Sequence, residues 1–225
     1  MTASTLRLAS HVHFCLDGDY CIFLDLHNDG YFCVGRHDIE VLQGDREHIS
    51  PTCTKLVDEL VRNGLFTTSA AAGRPIMATR ATTPARALVA DARPRSALHA
   101  LCGFMHFLRS SILAHRALTN WPLQRTVEFA RHSKEGLGDS KPDRSLLSGL
   151  VGEYDRWRPF FPRSYLCLFD SFALFDLLIR HGVRVDWVYG VQAEPFEAHC
   201  WLQTGVLVVN DTLERIAPFT PIMVV

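Results

Sequence analysis

The chain lacks several things that would classify it at once. No C-x-x-C pair occurs, no lysine is preceded by glycine, and no run of about 18 uninterrupted apolar residues is present. The seven cysteines (Cys15, Cys21, Cys33, Cys53, Cys102, Cys167, Cys200) are an odd set without metal-like clustering. That pattern fits reduced thiols in a cytosol rather than a disulfide framework, and no structural zinc or other metal is expected. The near match to a phosphate loop, "GLGDSKP", lacks the glycine before Lys141 and has Pro142 where a magnesium-binding hydroxyl belongs, so it reads as a polar loop. No cofactor is expected. The first 20 residues have neither the basic flank nor the apolar block of a secretory signal, and a soluble cytoplasmic protein with no membrane span is expected. His106, His115 and His132 have no acidic or cysteine partners at ligand spacing and read as ordinary surface or core histidines.

What is present is divided unevenly. Residues 1–66 carry five basic and ten acidic side chains, residues 67–150 twelve and five, and residues 151–225 six and nine. Three segments with different partners are implied, and the acidic first segment argues against duplex nucleic acid as a ligand. Within it, "HVHFCL", "YCIFLDL" and "YFCVG" alternate like strands around the turns "DGD" and "HNDG", giving an antiparallel meander. Helices are expected over residues 36 to about 44 and 50–63, the second with Ser50 as N-cap, Pro51 at its first position and Gly64 as its stop. Residues 67–84, rich in Thr, Pro and small side chains, read as a linker, with a second domain over 85–225. There, residues 85–132 are helical in period, and 166–180 are apolar around nearly the whole helix circumference, which predicts a central helix ended by Gly182. Strand-like "VRVDWVYGVQ", "FEAHCWLQ" and "VLVVND" follow, so the class is α+β.

Cys167 begins that central helix. A thiol at a helix N-terminus beside an imidazole becomes a nucleophilic thiolate, and the imidazole needs an acceptor to fix its orientation. His199 in "EAHCW" and Asp211 in "VVND" supply both. They lie symmetrically about Gly205, so an odd loop of three or five residues would set them opposite each other, whereas a two-residue loop would pair His199 with Asn210. Asp170, one turn into the helix, disfavours a nearby thiolate. The Cys167 backbone N–H is expected to form part of an oxyanion hole.

On these residues the C-terminal segment resembles a known family. "CLFDSFALFDLLIRHGV", "FEAHCW", "VNDT" and "PFTPI" look like the B protein of lasso peptide biosynthesis, a papain/transglutaminase-like leader peptidase. The resemblance implies Cys167 as nucleophile, His199 as base and Asp211 as orienting acid. Cys200 stands where the family has a small residue, and strand alternation directs it to the face opposite His199. "YCIFLDLHNDGYFCV" and "LVDELVRNGLF" are similar to the PqqD-like recognition element, a winged-helix-type βββααα module. That likeness implies a precursor-peptide recognition element over 1–66, whose leader lies along an edge strand at Tyr31, Phe32, Cys33 and Val34 and against Leu56 and Leu60.

The implied activity is cysteine-peptidase removal of a leader during lasso peptide maturation. The implied partners are the leader region of a ribosomal precursor and an ATP-dependent, asparagine synthetase-like macrolactam synthetase. The same triad also serves a transglutaminase-like acyltransferase, and a non-enzymatic winged-helix regulator is a reading of another class.

Overall fold

The computed structural model describes residues 6–42, 48–69, 71–91, 96–138 and 142–225. The chain divides into two compact units, one of residues 1–80, 190–198 and 219–224, the other of 81–189, 199–218 and Val225. These units do not follow the three segments expected from composition.

In the first unit β1 (Arg7–Ala9) precedes the expected meander of β2 (Val12–Asp17), β3 (Tyr20–Asp25) and β4 (Gly30–Gly35). The meander is antiparallel in the order β2-β3-β4, with Phe14 opposite Phe23 and Phe23 opposite Phe32. Its second turn is built by the buried Asp25, whose carboxylate accepts from the backbone N–H groups of His27 (2.8 Å) and Asn28 (3.2 Å) and from Asn28 Nδ2 (2.7 Å). After a 3₁₀ turn at Arg36–Asp38 the chain forms β5 (Ile39–Leu42) and β6 (His48–Pro51), an antiparallel pair. The helix expected over 36–44 is thus absent as far as Leu42, and residues 43 and 44 lie outside the described residues.

The next helix, α1 (Thr54–Arg62), starts three residues later than Ser50 as N-cap suggested, with Cys53 as N-cap. Pro51 instead ends β6 opposite Ile39. Gly64 closes α1 at φ +74°: its N–H reaches the Val61 carbonyl and that of Leu65 reaches Leu60, a Schellman end that a β-carbon would strain. β7 (Phe66–Thr67) and β8 (Gly73–Arg74) flank β1, and Thr79 N–H bonds to the Phe14 carbonyl. Thr67, Gly73, Arg74 and Thr79 are therefore tied to the first unit by backbone bonds rather than lying on a free tether. Among the described residues this unit has one α-helix, so the winged-helix βββααα expectation gives way to a strand-rich unit. Its core gathers Leu8, Val12, Phe14, Phe23, Leu60 and Phe66, each contributing about 1.5–3 kcal/mol by burial.

The second unit opens with β9 (Arg86–Ala87), followed by α2 (Ala97–Asn120), α3 (Leu123–Lys134), α4 (Arg144–Trp157) and α5 (Cys167–Arg180). α2 is long and apolar enough to cross a membrane by length and composition, a candidate span the sequence reading did not single out. Here it packs against α5 and α4. α5 is buried from Ser171 through Leu178, as its all-round apolar pattern predicts. The one carboxylate in that stretch, Asp176, accepts from Ser110 Oγ and Arg180 Nε, both at 2.7 Å. Gly182 ends α5 with a second Schellman turn at φ +74°. β10 (Asp186–Gln192), β11 (Glu197–Thr204) and β12 (Leu207–Val208) follow, and β12 pairs on one side with β11 and on the other, in parallel, with β9. A short α6 (Leu213–Ile216) follows in this unit, and β13 (Thr220–Val224) belongs to the first. Trp187, fully buried, stacks on Phe172 and Phe175 and fixes α5 against the strand that carries it.

Candidate active site

Cys167 is the first residue of α5, where backbone N–H groups lack helical partners and the dipole favours negative charge. The approach to it is held by Arg158, itself 3% exposed. Its guanidinium donates to the carbonyls of Arg163 (3.1 Å) and Ser164 (3.0 Å) and pairs with the Asp170 carboxylate. Asp170 also accepts from Leu166 N–H (2.9 Å) and Tyr154 OH (3.1 Å). The acid that threatened the thiolate is therefore a positioning group with its charge paired by Arg158, binding the helix start to α4 and to the preceding loop.

His199 is 7% exposed on β11, its ring 6.1 Å from Trp201. Its Nε2 lies 2.6 Å from Asp211 Oδ2, which leaves Nδ1 to serve the thiol. The route to this contact differs from the expected one. The hairpin turns through two residues, with Thr204 opposite Leu207, and β12 stops at Val208. Val209 N–H still reaches the Leu202 carbonyl, but Leu202 N–H is taken by the Asn210 side chain at 2.7 Å. Asn210 thus replaces the next backbone acceptor, the ladder ends, and the chain bends so that Asp211 meets His199 outside strand register. Thr212 then caps α6, its N–H on Asp211 Oδ1 at 2.8 Å and its Oγ1 accepting from Arg215 N–H.

The electrostatics follow this geometry. The Cys167 thiol is brought down to about 4, first by a hydrogen bond with the Cys200 thiol, then against burial by His199 and by the Cys200 backbone N–H. Burial pulls His199 downward, yet bonds to Asp211 and Cys167 carry it up to about 9. Burial raises Asp211, and its bonds to His199 and Thr212 N–H outweigh that and leave it below the usual carboxylate range. Between those limits the pair is a thiolate and an imidazolium. Cys167, His199 and Asp211 line one cavity of about 230 Å³ with Tyr165, Arg158 and Asn210.

Sequence reading missed Arg158, gave Ser171 no role, took Asn210 only as an alternative partner of His199, and discounted Cys200. Cys200 is turned to α5, its sulfur 3.3 Å from Ser171 Oγ, and it lines the same cavity as Cys167 and His199. The "ND" dipeptide was the visible signal for Asn210. In the first unit Phe32, Cys33, Val34, Leu56 and Leu60 line one groove of about 260 Å³ between β4 and α1. Tyr31 is not part of it and packs on Phe196 at 5.3 Å. His132 bonds to the Glu128 carbonyl, and His106 to His181. Asp139, Ser140 and Lys141 of the "GLGDSKP" loop lie outside the described residues.

A helix-borne cysteine, a strand-borne histidine and a carboxylate after the next strand define a cysteine peptidase or acyltransferase fold. Residues 111–224, half of the chain, match the Transglutaminase-like superfamily, and the chain belongs to that superfamily. No curated protein and no solved structure matches it.

Proposed function

We propose that the protein is a cytoplasmic cysteine peptidase that binds a ribosomal precursor peptide and removes its leader during lasso peptide maturation. The observation that supports the enzymatic part is the convergence of Cys167, His199 and Asp211 on one cavity, with Asp211 2.6 Å from His199; the directions in which the thiol and the imidazole are shifted agree with it. Cys167 attacks the carbonyl of the last leader residue, and its backbone N–H, at the helix start, would donate to the oxyanion that forms. The imidazolium of His199 protonates the departing amine of the core peptide, leaving a leader acyl-enzyme. His199, now neutral, takes a proton from water, whose oxygen attacks the thioester and frees the leader carboxylate and the thiolate. If an amine took the place of water the same site would act as an acyltransferase.

Leader recognition is proposed for residues 1–66, a strand-rich unit acting in the role that the PqqD-like resemblance implies. The β4–α1 groove supports it: an extended peptide paired with the β4 edge would set alternate side chains against Val34, Leu56 and Leu60. The freed core amine would pass to an ATP-dependent macrolactam synthetase. The test is mass spectrometry of a precursor incubated with the parent and with Cys167→Ala. Leader-sized and core-sized products from the parent alone support hydrolysis, an amine adduct on the leader indicates acyl transfer, and an intact precursor refutes the reading.

A further inference from the structure

Beneath the nucleophile three groups share one hydroxyl. Ser171 Oγ lies 2.6 Å from the Cys167 carbonyl, 2.8 Å from Trp187 Nε1 and 3.3 Å from Cys200 Sγ. A hydroxyl offers one proton and two lone pairs. The Cys167 carbonyl can only accept, so it takes the proton, shared weakly with the Leu168 carbonyl at 3.4 Å. The indole N–H can only donate and takes one lone pair. Cys200 is left with the other, so its thiol meets Ser171 as a donor.

Cys200 also lines the cavity that holds the Cys167 sulfur, and hydrogen bonding from its thiol is the largest influence that lowers that of Cys167. One S–H therefore faces two acceptors, a hydroxyl oxygen and the nucleophile. An anionic sulfur is the stronger acceptor, and a thioester sulfur is a weak one. We propose that Cys200 is a positioning residue that gives its S–H to the Cys167 thiolate in the resting site and returns it to Ser171 Oγ once Cys167 is acylated. The proton stays on Cys200 throughout, because burial holds that thiol well above its usual range. The role deepens the cysteine-enzyme reading and rests on it. The other charged or titratable groups lining that cavity are His199 on β11, Asp170 on α5, Arg158 and Tyr165 before it, Tyr154 and Asp155 on α4, Asp211 after β12 and Arg215 on α6. All of these remain when residue 200 alone is changed.

The test follows the rate at which a neutral disulfide probe labels Cys167 from pH 3 to 9, read on the Cys167 peptide by mass spectrometry, in the parent, Cys200→Val and Cys200→Ser. The parent midpoint is expected near pH 4. Valine, which fills the space without a donor, should raise the midpoint by about one pH unit or more and, since a more basic thiolate is the better nucleophile, speed labelling about threefold per unit on the neutral plateau. Serine restores a donor and should return the midpoint toward the parent. Cys200→Ala replaces valine if near-ultraviolet circular dichroism shows that valine disturbs Trp187. A low parent midpoint left unmoved by loss of the donor overturns the role of Cys200 alone. A parent midpoint near the ordinary thiol value of about 8.5 overturns it together with the activated nucleophile on which it rests.

Discussion

Acidifying the solution should reverse which thiol a reagent prefers. With Cys167 titrating near 4, about 90% of it is thiolate at pH 5, against about 0.03% for a free-cysteine reference peptide of ordinary thiol acidity. The population advantage is about 3000-fold. A thiolate that acidic is also a weaker nucleophile: with a Brønsted slope of about 0.45 over roughly 4.5 units, its intrinsic rate falls about 100-fold. The product is a preference of about 30-fold for Cys167 at pH 5, about threefold at pH 6, and about threefold in favour of the reference at pH 7. Equimolar protein and reference peptide, a limiting neutral disulfide probe and quantitative peptide mass spectrometry measure the ratio directly. Burial raises the Cys33 thiol, so it should overtake Cys167 only at a higher pH than the reference peptide does. A ratio that does not change between pH 5 and 7, or one favouring the reference throughout, would refute the ion pair.

Cleavage of a precursor should rise through about pH 4, as Cys167 ionises, and fall through about pH 9, as His199 loses the proton it must donate; a rate still climbing above pH 9 would count against this assignment. Cys167→Ala and His199→Ala should each cost about 10³-fold or more in turnover, with Asp211→Asn milder because it keeps a hydrogen-bonding side chain, as single-turnover rates would reveal. Asn210→Ala leaves Leu202 N–H without its acceptor and should cost about 1–3 kcal/mol in denaturant unfolding as well as lowering turnover. Arg158→Met leaves Asp170 without its cation and should cost about 3–5 kcal/mol, most of which Arg158→Met with Asp170→Asn recovers. Val34→Pro in the full-length Cys167→Ala chain should weaken leader binding in fluorescence anisotropy, and in the full-length parent it should leave probe labelling of Cys167 unchanged; unaltered affinity would move recognition away from the β4 edge.

The residues that carry chemistry were easier to read in the sequence than the path bringing them together. Cys167 stands out because α5 is apolar all round and has one thiol at its start, and the two meander turns and the helix-ending glycines have local signatures that tertiary packing leaves alone. The hairpin register did not follow from symmetry about Gly205, since a side chain, Asn210, replaces a backbone acceptor and breaks the ladder. Strands β7 and β8 have two residues each, too few for any period to register, and their pairing with β1 joins residues about 60 apart. Pro51 followed by Thr and Cys resembles a helix start, yet a long-range pairing with Ile39 holds it as strand. For Cys200, alternation could not show that its thiol reaches Ser171 of α5 and shares one cavity with Cys167 and His199.

The frame around Arg158 also bears on timing. The loop carbonyls of Arg163 and Ser164, the Leu166 N–H and the Asp170 carboxylate are joined before any substrate arrives, and none of these groups belongs to the reacting set. The entropy of ordering the segment is spent once, when the chain folds, and is not met again at each turnover. A cycle built on such a frame needs no closing step to assemble its nucleophile, so a pre-steady-state trace with saturating precursor should begin with acylation and no lag.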